Sequence, residues 1–127
     1  MKAARGLALF TMLPFLLLVG CTGGRMVPPY QVVAGGDAHQ GRGVIVSAGC
    51  GACHTIPGIH AAHGELGPPL NSFSRRTMIA GELPNTPDNL IRWIENPPSI
   101  EPGTAMPNLG LSDKQARDAA AYLYTLR

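Results

Sequence analysis

The chain has 127 residues, with ten Lys or Arg against eight Asp or Glu and three cysteines; that is enough for one domain and too little positive charge for a nucleic-acid partner. Lys2 and Arg5 supply the formal excess, and from residue 21 onward the two signs balance at eight each.

Residues 1–20 have the layout of a secretory signal, with a positive start, an apolar run from Leu7 to Val19 and small residues after it. The run is short for a bilayer span and is interrupted by Pro14, which disfavours the alternative of a retained membrane helix. Leu18-Val19-Gly20-Cys21 resembles the bacterial lipobox, in which the cysteine is lipidated and becomes the first mature residue. The alternative for Cys21 is a free or intermolecularly paired thiol. Residues 21–36 are rich in Gly, Pro and Thr and have no apolar period, so a flexible tether is expected there and a globular domain over 37–127.

About ninety residues make a small core, and chains of that size commonly need a disulfide, a metal or a large cofactor. Three helices are predicted. The first runs from the cap Asp37 to Gly49, with Val44, Ile45 and Ala48 on one face. The second starts at Thr86-Pro87-Asp88, carries Leu90, Ile91, Trp93 and Ile94 as a stripe, and stops at Asn96-Pro97-Pro98. The third opens with a Ser112/Gln115 capping box and turns Ala116, Ala119, Ala120, Leu123 and Leu126 inward. No strand alternation stands out, so the class is all-α with long ordered loops.

Cys50-Gly51-Ala52-Cys53-His54 has the C-x-x-C-H spacing of covalent haem attachment. Each thiol can add across one vinyl group of the porphyrin, and the next residue, His54, then lies under the iron. Two other readings use the same residues. One is a redox dithiol, which lacks its βαβ context here. The other is a zinc site of Cys50, Cys53 and two of His54, His60 and His63, for which the adjacent Cys53 and His54 diverge awkwardly.

Four stretches in this order, Gly41 to His54, Gly67-Pro68-Pro69-Leu70, Trp93 to Pro97 and Pro102-Gly103-Thr104-Ala105-Met106-Pro107, resemble the class I monohaem cytochromes c. The resemblance implies three to four helices and long loops wrapped around one covalent haem c. It implies Met106, stiffened by flanking prolines, as the iron ligand opposite His54. Pro68 would accept a hydrogen bond from His54, Leu70 would line the pocket, and Trp93 would stand beside the methionine. Arg75, with Arg76 as the alternative, and Thr104 would face the haem propionates. Gly41 and Tyr122 match the family's close contact of first and last helices. Met78 is expected to pack.

The function so implied is electron transfer and not enzymatic turnover. A thioether ligand favours ferrous iron and hence a positive potential. The expected protein is periplasm-facing and anchored to a bacterial membrane through Cys21. Its expected redox partners are a quinol-oxidising complex and a terminal oxidase. It would be a monomer or a fixed cytochrome subunit of an oxidase complex. A haem peroxidase or small-ligand protein is the alternative if Met106 leaves the iron. With Lys114 the one lysine after residue 20, partner docking is expected to depend little on salt.

Overall fold

Side-chain caps fix where the three long helices begin, and they do so at the residues the sequence singles out. In the computed structural model, which describes residues 28–127, helix α1 spans Ala38–Ser47. The Asp37 carboxylate accepts from the backbone N–H of His39 at 2.8 Å and of Gln40 at 3.2 Å. These N–H groups hold its carboxyl below the usual range, Gln40 contributing most. After the helix, Gly49 takes a left-handed conformation at φ 71° and turns the chain. Helix α2, Pro87–Glu95, starts at Thr86, whose hydroxyl accepts from Asn89, and buries Leu90, Ile91, Trp93 and Ile94. Asn96 leaves helical geometry, and a separate short helix α3, Pro97–Ile100, follows. Helix α4, Asp113–Leu123, has the complete capping box: Gln115 N–H donates to Ser112 Oγ and Ser112 N–H to Gln115 Oε1. Its inward face is the expected Ala116, Ala119, Ala120 and Leu123, with Leu126 buried just beyond.

The class is all-α, as the sequence predicts, with one small addition. Strands β1, Met78–Ile79, and β2, Leu83–Pro84, pair antiparallel with Met78 opposite Pro84 and Ile79 opposite Leu83. Between them Ala80 and Gly81 both have positive φ, and Glu82 N–H donates to Ile79 C=O at 2.9 Å, a tight turn of the kind that joins strands. Two-residue strands leave no alternation to read in a sequence.

The expected tether ends earlier than residue 36. Residues 28–36 lie against the body, so the folded unit begins by residue 28 and not at Asp37. Pro28 and Pro29 stiffen the entry, and the next side chains alternate: Gln31 and Val33 are buried, Tyr30 and Val32 are exposed. Gln31 Nε2 donates to the Ser74 carbonyl, and Arg117 Nη1 donates to Ala34 C=O at 3.2 Å. Composition suggested a linker because Gly and Pro are the residues of both loose and tightly fixed backbone. The expected signal, lipobox and Cys21 lie outside the described residues.

Helix α1 packs on α4 through Gly41. A Cβ at Gly41 would stand 1.9 Å from the Asp118 carbonyl oxygen and 3.0 Å from Tyr122 Cβ, so only glycine permits this approach. The contact with Tyr122 is present, and the Asp118 backbone is closer still. The buried Asp118 carboxylate ties the same corner by accepting from Asp37 N–H at 2.7 Å and from Lys114 Nζ. Nearby, Tyr124 is buried, meets Phe73 edge-on and donates its hydroxyl to Asn85 Oδ1 at 2.9 Å. Burial pushes its phenol up to about 12.

Two outcomes follow for the folded protein. Gly41→Ala is expected to destabilise it by about 3 kcal/mol through overpacking. Gly43→Ala, in the same helix with nothing within 4 Å of the new methyl, is expected to stabilise it by about 0.5–1 kcal/mol. Denaturant titration of the pair reads both. Tyr124→Phe is expected to cost about 1 kcal/mol near neutral pH by removing one hydrogen bond. The folded phenol titrates above its unfolded value of about 10, so its contribution is full below that pH and is lost as pH rises toward about 12. The stability gap between wild type and Tyr124→Phe should therefore shrink from pH 10 to 12.

Candidate metal centre

The C-x-x-C-H stretch is shaped by its own backbone before any cofactor is considered. Gly49 reverses the chain, Cys50–Ala52 forms a 3-10 turn, and the N–H groups of Cys53 and His54 both donate to the Cys50 carbonyl, at 3.3 and 3.0 Å. Both thiols and the imidazole therefore leave a single turn. The following loop folds back on it. Gly67 N–H donates to Cys53 C=O and Leu70 N–H to Thr55 C=O, each at 2.8 Å.

That return sets the histidine. The His54 ring lies against Gly67, where an added Cβ would come within 2.3 Å of Cε1 and 2.6 Å of Nδ1. Nδ1 is 2.8 Å from the Pro68 carbonyl oxygen. A carbonyl can only accept, so Nδ1 carries the proton and Nε2 keeps its lone pair for a metal.

A cavity of about 540 Å³ opens beside this turn, a size typical of cofactor sites. Its walls are Ile45 of α1, Leu90, Trp93 and Ile94 of α2, Ala119 and Leu123 of α4, and Leu70, Phe73 and Ile79 of the loops and hairpin. Cys50, Cys53, His54, Pro68, Thr104 and Met106 reach the same space. The Met106 segment is pinned by short-range bonds: Thr104 N–H donates to Glu101 C=O at 3.0 Å, and Met106 N–H donates to Thr104 Oγ1 at 3.2 Å. The Thr104 hydroxyl proton is left available to donate.

Arg75, expected at the propionates, does not line the cavity. It closes a 3-10 turn, Phe73–Arg75, and faces a neighbouring groove, while Arg76 reaches the cavity. Arg76 donates from Nη2 to the Pro69 carbonyl and lies 5.5 Å from the Phe73 ring centre. Adjacent side chains on a tight turn diverge, so only one of the two arginines can face inward. Met78 also differs from expectation: it is 42 % exposed, at the cavity rim and not in the core. His60 and His63 are exposed and do not line the cavity. Ile45, Ala119 and Leu123 were legible as helix faces but not as cavity walls, and Phe73 and Ile79 had no periodic signal at all.

The rival chemistries fit poorly. Among the described residues no three His, Cys, Asp or Glu side chains gather as a metal ion would need, which leaves no zinc tetrad. Burial pushes the Cys50 thiol above its ordinary value, the opposite of an activated dithiol. A broad apolar cavity edged by two thiols and an imidazole does fit a haem, whose faces are apolar and whose iron takes nitrogen and sulfur donors.

The family model for cytochrome c matches residues 38–127. The chain belongs to the cytochrome c family. Its relatives include cytochrome c2 of Rhodopila globiformis, 34 % identical over 72 % of this chain and 95 % of that protein. They also include cytochrome c oxidase subunit 2 of Alkalihalophilus pseudofirmus, 36 % identical over 71 % of this chain, and of Bacillus subtilis, 30 % identical over 77 %. The match spans only 26 % and 29 % of those two oxidase subunits. Family membership brings the cytochrome c fold and covalently bound haem c with it.

Gly67→Ala tests how tightly the loop sets the imidazole. The new methyl must push the ring off the Pro68 carbonyl. When the chain is expressed with a haem c maturation system, the variant is expected to give a mixed- or altered-ligation visible spectrum and a sharply lower yield of holoprotein. An unchanged spectrum at normal yield would show that the ring has room the geometry denies.

Proposed function

We propose that this cytochrome c is a membrane-tethered carrier of single electrons, with one haem bound through Cys50 and Cys53 and ligated by His54 and Met106. The observation that carries the reading is the convergence of those four side chains on one apolar cavity, with the His54 tautomer set by Pro68. Bound haem supplies the one-electron iron couple. The chain's own residues do the rest. The two thiols form thioether links that prevent loss of the group, and His54 offers Nε2. Met106 offers a soft neutral sulfur, which raises the potential relative to a second histidine. Arg76 and Thr104 stand as donors for the propionates, and Leu70 and Trp93 keep water from the ring. The apolar walls disfavour the extra charge of ferric iron and raise the potential further.

The tether is residues 21–27, attached through lipidated Cys21 after removal of residues 1–20, so that the domain faces the periplasm of a bacterium. The support for this is the lipobox resemblance. A quinol-oxidising complex is the proposed donor and a terminal oxidase the proposed acceptor. Relatives named as cytochrome c oxidase subunit 2 favour the oxidase, and also favour a fixed subunit as the second reading.

The deciding experiment is the visible spectrum of the oxidised holoprotein beside Met106→Ala. Wild type is expected to show the weak red-end band of an iron–sulfur bond. Met106→Ala is expected to lose it, to keep its haem through acid extraction, and to have a lower reduction potential. A band that survives in the variant would remove Met106 from the iron. A wild type without the band that binds carbon monoxide rapidly when reduced would favour a ligand-binding haem protein instead.

A further inference from the structure

A second recess, a groove of about 510 Å³, opens where the chain enters the body. Pro28 and Tyr30 line it from the N-terminal segment, and Arg75, Arg76 and Arg127 line it from the folded unit. Three of the seven Lys or Arg after residue 27 meet there, and none of the eight Asp or Glu lines it. The described part of the chain carries one more acid than base, so this positive field comes from placement and not from composition. Tyr30, which lines the groove, is 72 % exposed, and Val32, two residues further along the entering segment, is 58 % exposed. An exposed tyrosine next to arginines suits a membrane–water interface, where the ring sits at headgroup level and the cations meet phosphate. Only six residues separate Cys21 from Pro28, so the two are at most about 25 Å of extended chain apart. An anchor at Cys21 therefore holds this face of the domain within reach of the headgroups.

We propose that the Arg75–Arg76–Arg127 groove, with Tyr30 in its lining, is a docking face for anionic phospholipid headgroups. It rests on the lipid-anchor reading for its proximity to the membrane, though its chemistry does not. Arg76 lines both recesses, so the docked face adjoins the metal centre. Docking converts a loose tether into a preferred orientation, a two-signal arrangement in which basic residues add to an acyl anchor.

The test uses full-length Cys21→Ser holoprotein, which carries no anchor, and vesicles of phosphatidylcholine with or without phosphatidylglycerol. Partition into the anionic vesicles is expected to exceed that into the neutral ones and to fall with added salt. Arg75→Gln and Arg127→Gln together are expected to weaken anionic-vesicle partition about 25-fold, about fivefold for each arginine. Residues 1–20 are common to both proteins and cancel in that comparison. Anionic-vesicle binding equal to the parent's in the double variant overturns the proposal. Should the double variant fail to load haem, Arg75→Gln alone, read with the salt titration, decides on the same terms. The mass of wild-type Cys21 reads the anchor separately. Unmodified Cys21 with arginine-dependent binding removes the anchor and keeps the face; lipidated Cys21 with arginine-independent binding does the reverse.

Discussion

The rest of the structure depends on how closely α1 approaches α4. With no side chain at Gly41, the Asp118 carbonyl sits where a methyl would be, and the Asp118 carboxylate caps the Asp37 N–H at the same corner. That contact fixes the separation of two cavity walls, Ile45 on one helix and Ala119 and Leu123 on the other. Helix α2 packs on α4 and supplies the third wall with its Leu90, Trp93 and Ile94 stripe. The cavity is thus framed by three helices whose mutual positions follow from one missing Cβ and a buried carboxylate, and the loops then dress a space already defined.

The loops are long but not loose, because they are closed by backbone hydrogen bonds and by glycines that let backbone touch side chain. The segment after His54 is stitched to the Cys50 turn at both ends, and Gly67 is pressed on the imidazole ring. Asn85 does similar work further along. Its amide donates to the carbonyls of Phe73 and Arg76 at 3.1 and 3.0 Å while its oxygen accepts from Tyr124, so one side chain joins the arginine turn to the last helix. The His54 ring is confined in this way to one orientation, with Pro68 on its Nδ1 and Gly67 against its edge.

What the sequence made legible was what local physics determines. Caps at Asp37, Thr86 and Ser112, the proline stop after Asn96 and the α2 stripe each depend on a few neighbouring residues, and each was placed to within about two residues. The C-x-x-C-H turn is equally local. The choice between Arg75 and Arg76 was not legible, because it depends on the phase of a three-residue turn entered through Ser72 at φ 51°. The docking of residues 31–34 was hidden for a different reason: Ser74, which accepts from Gln31, and Arg117, which donates to the Ala34 carbonyl, are distant in sequence. Phe73 and Ile79 belong to the same class. They are cavity walls whose burial follows from the closed fold and leaves no period to find.

Ser74 gives the fold one further property. Its N–H and its hydroxyl both donate to the Leu126 carbonyl, at 3.0 and 2.9 Å, and its own carbonyl accepts from Gln31. One residue in the middle of the chain therefore holds the first and last turns of the folded body side by side. A unit whose ends meet is easily transplanted: it can follow another polypeptide or hang from a short leash without either junction pulling on the helices that frame its interior. Such modularity gives a physical reason why the same ninety-residue plan makes up nearly all of one small relative and about a quarter of others.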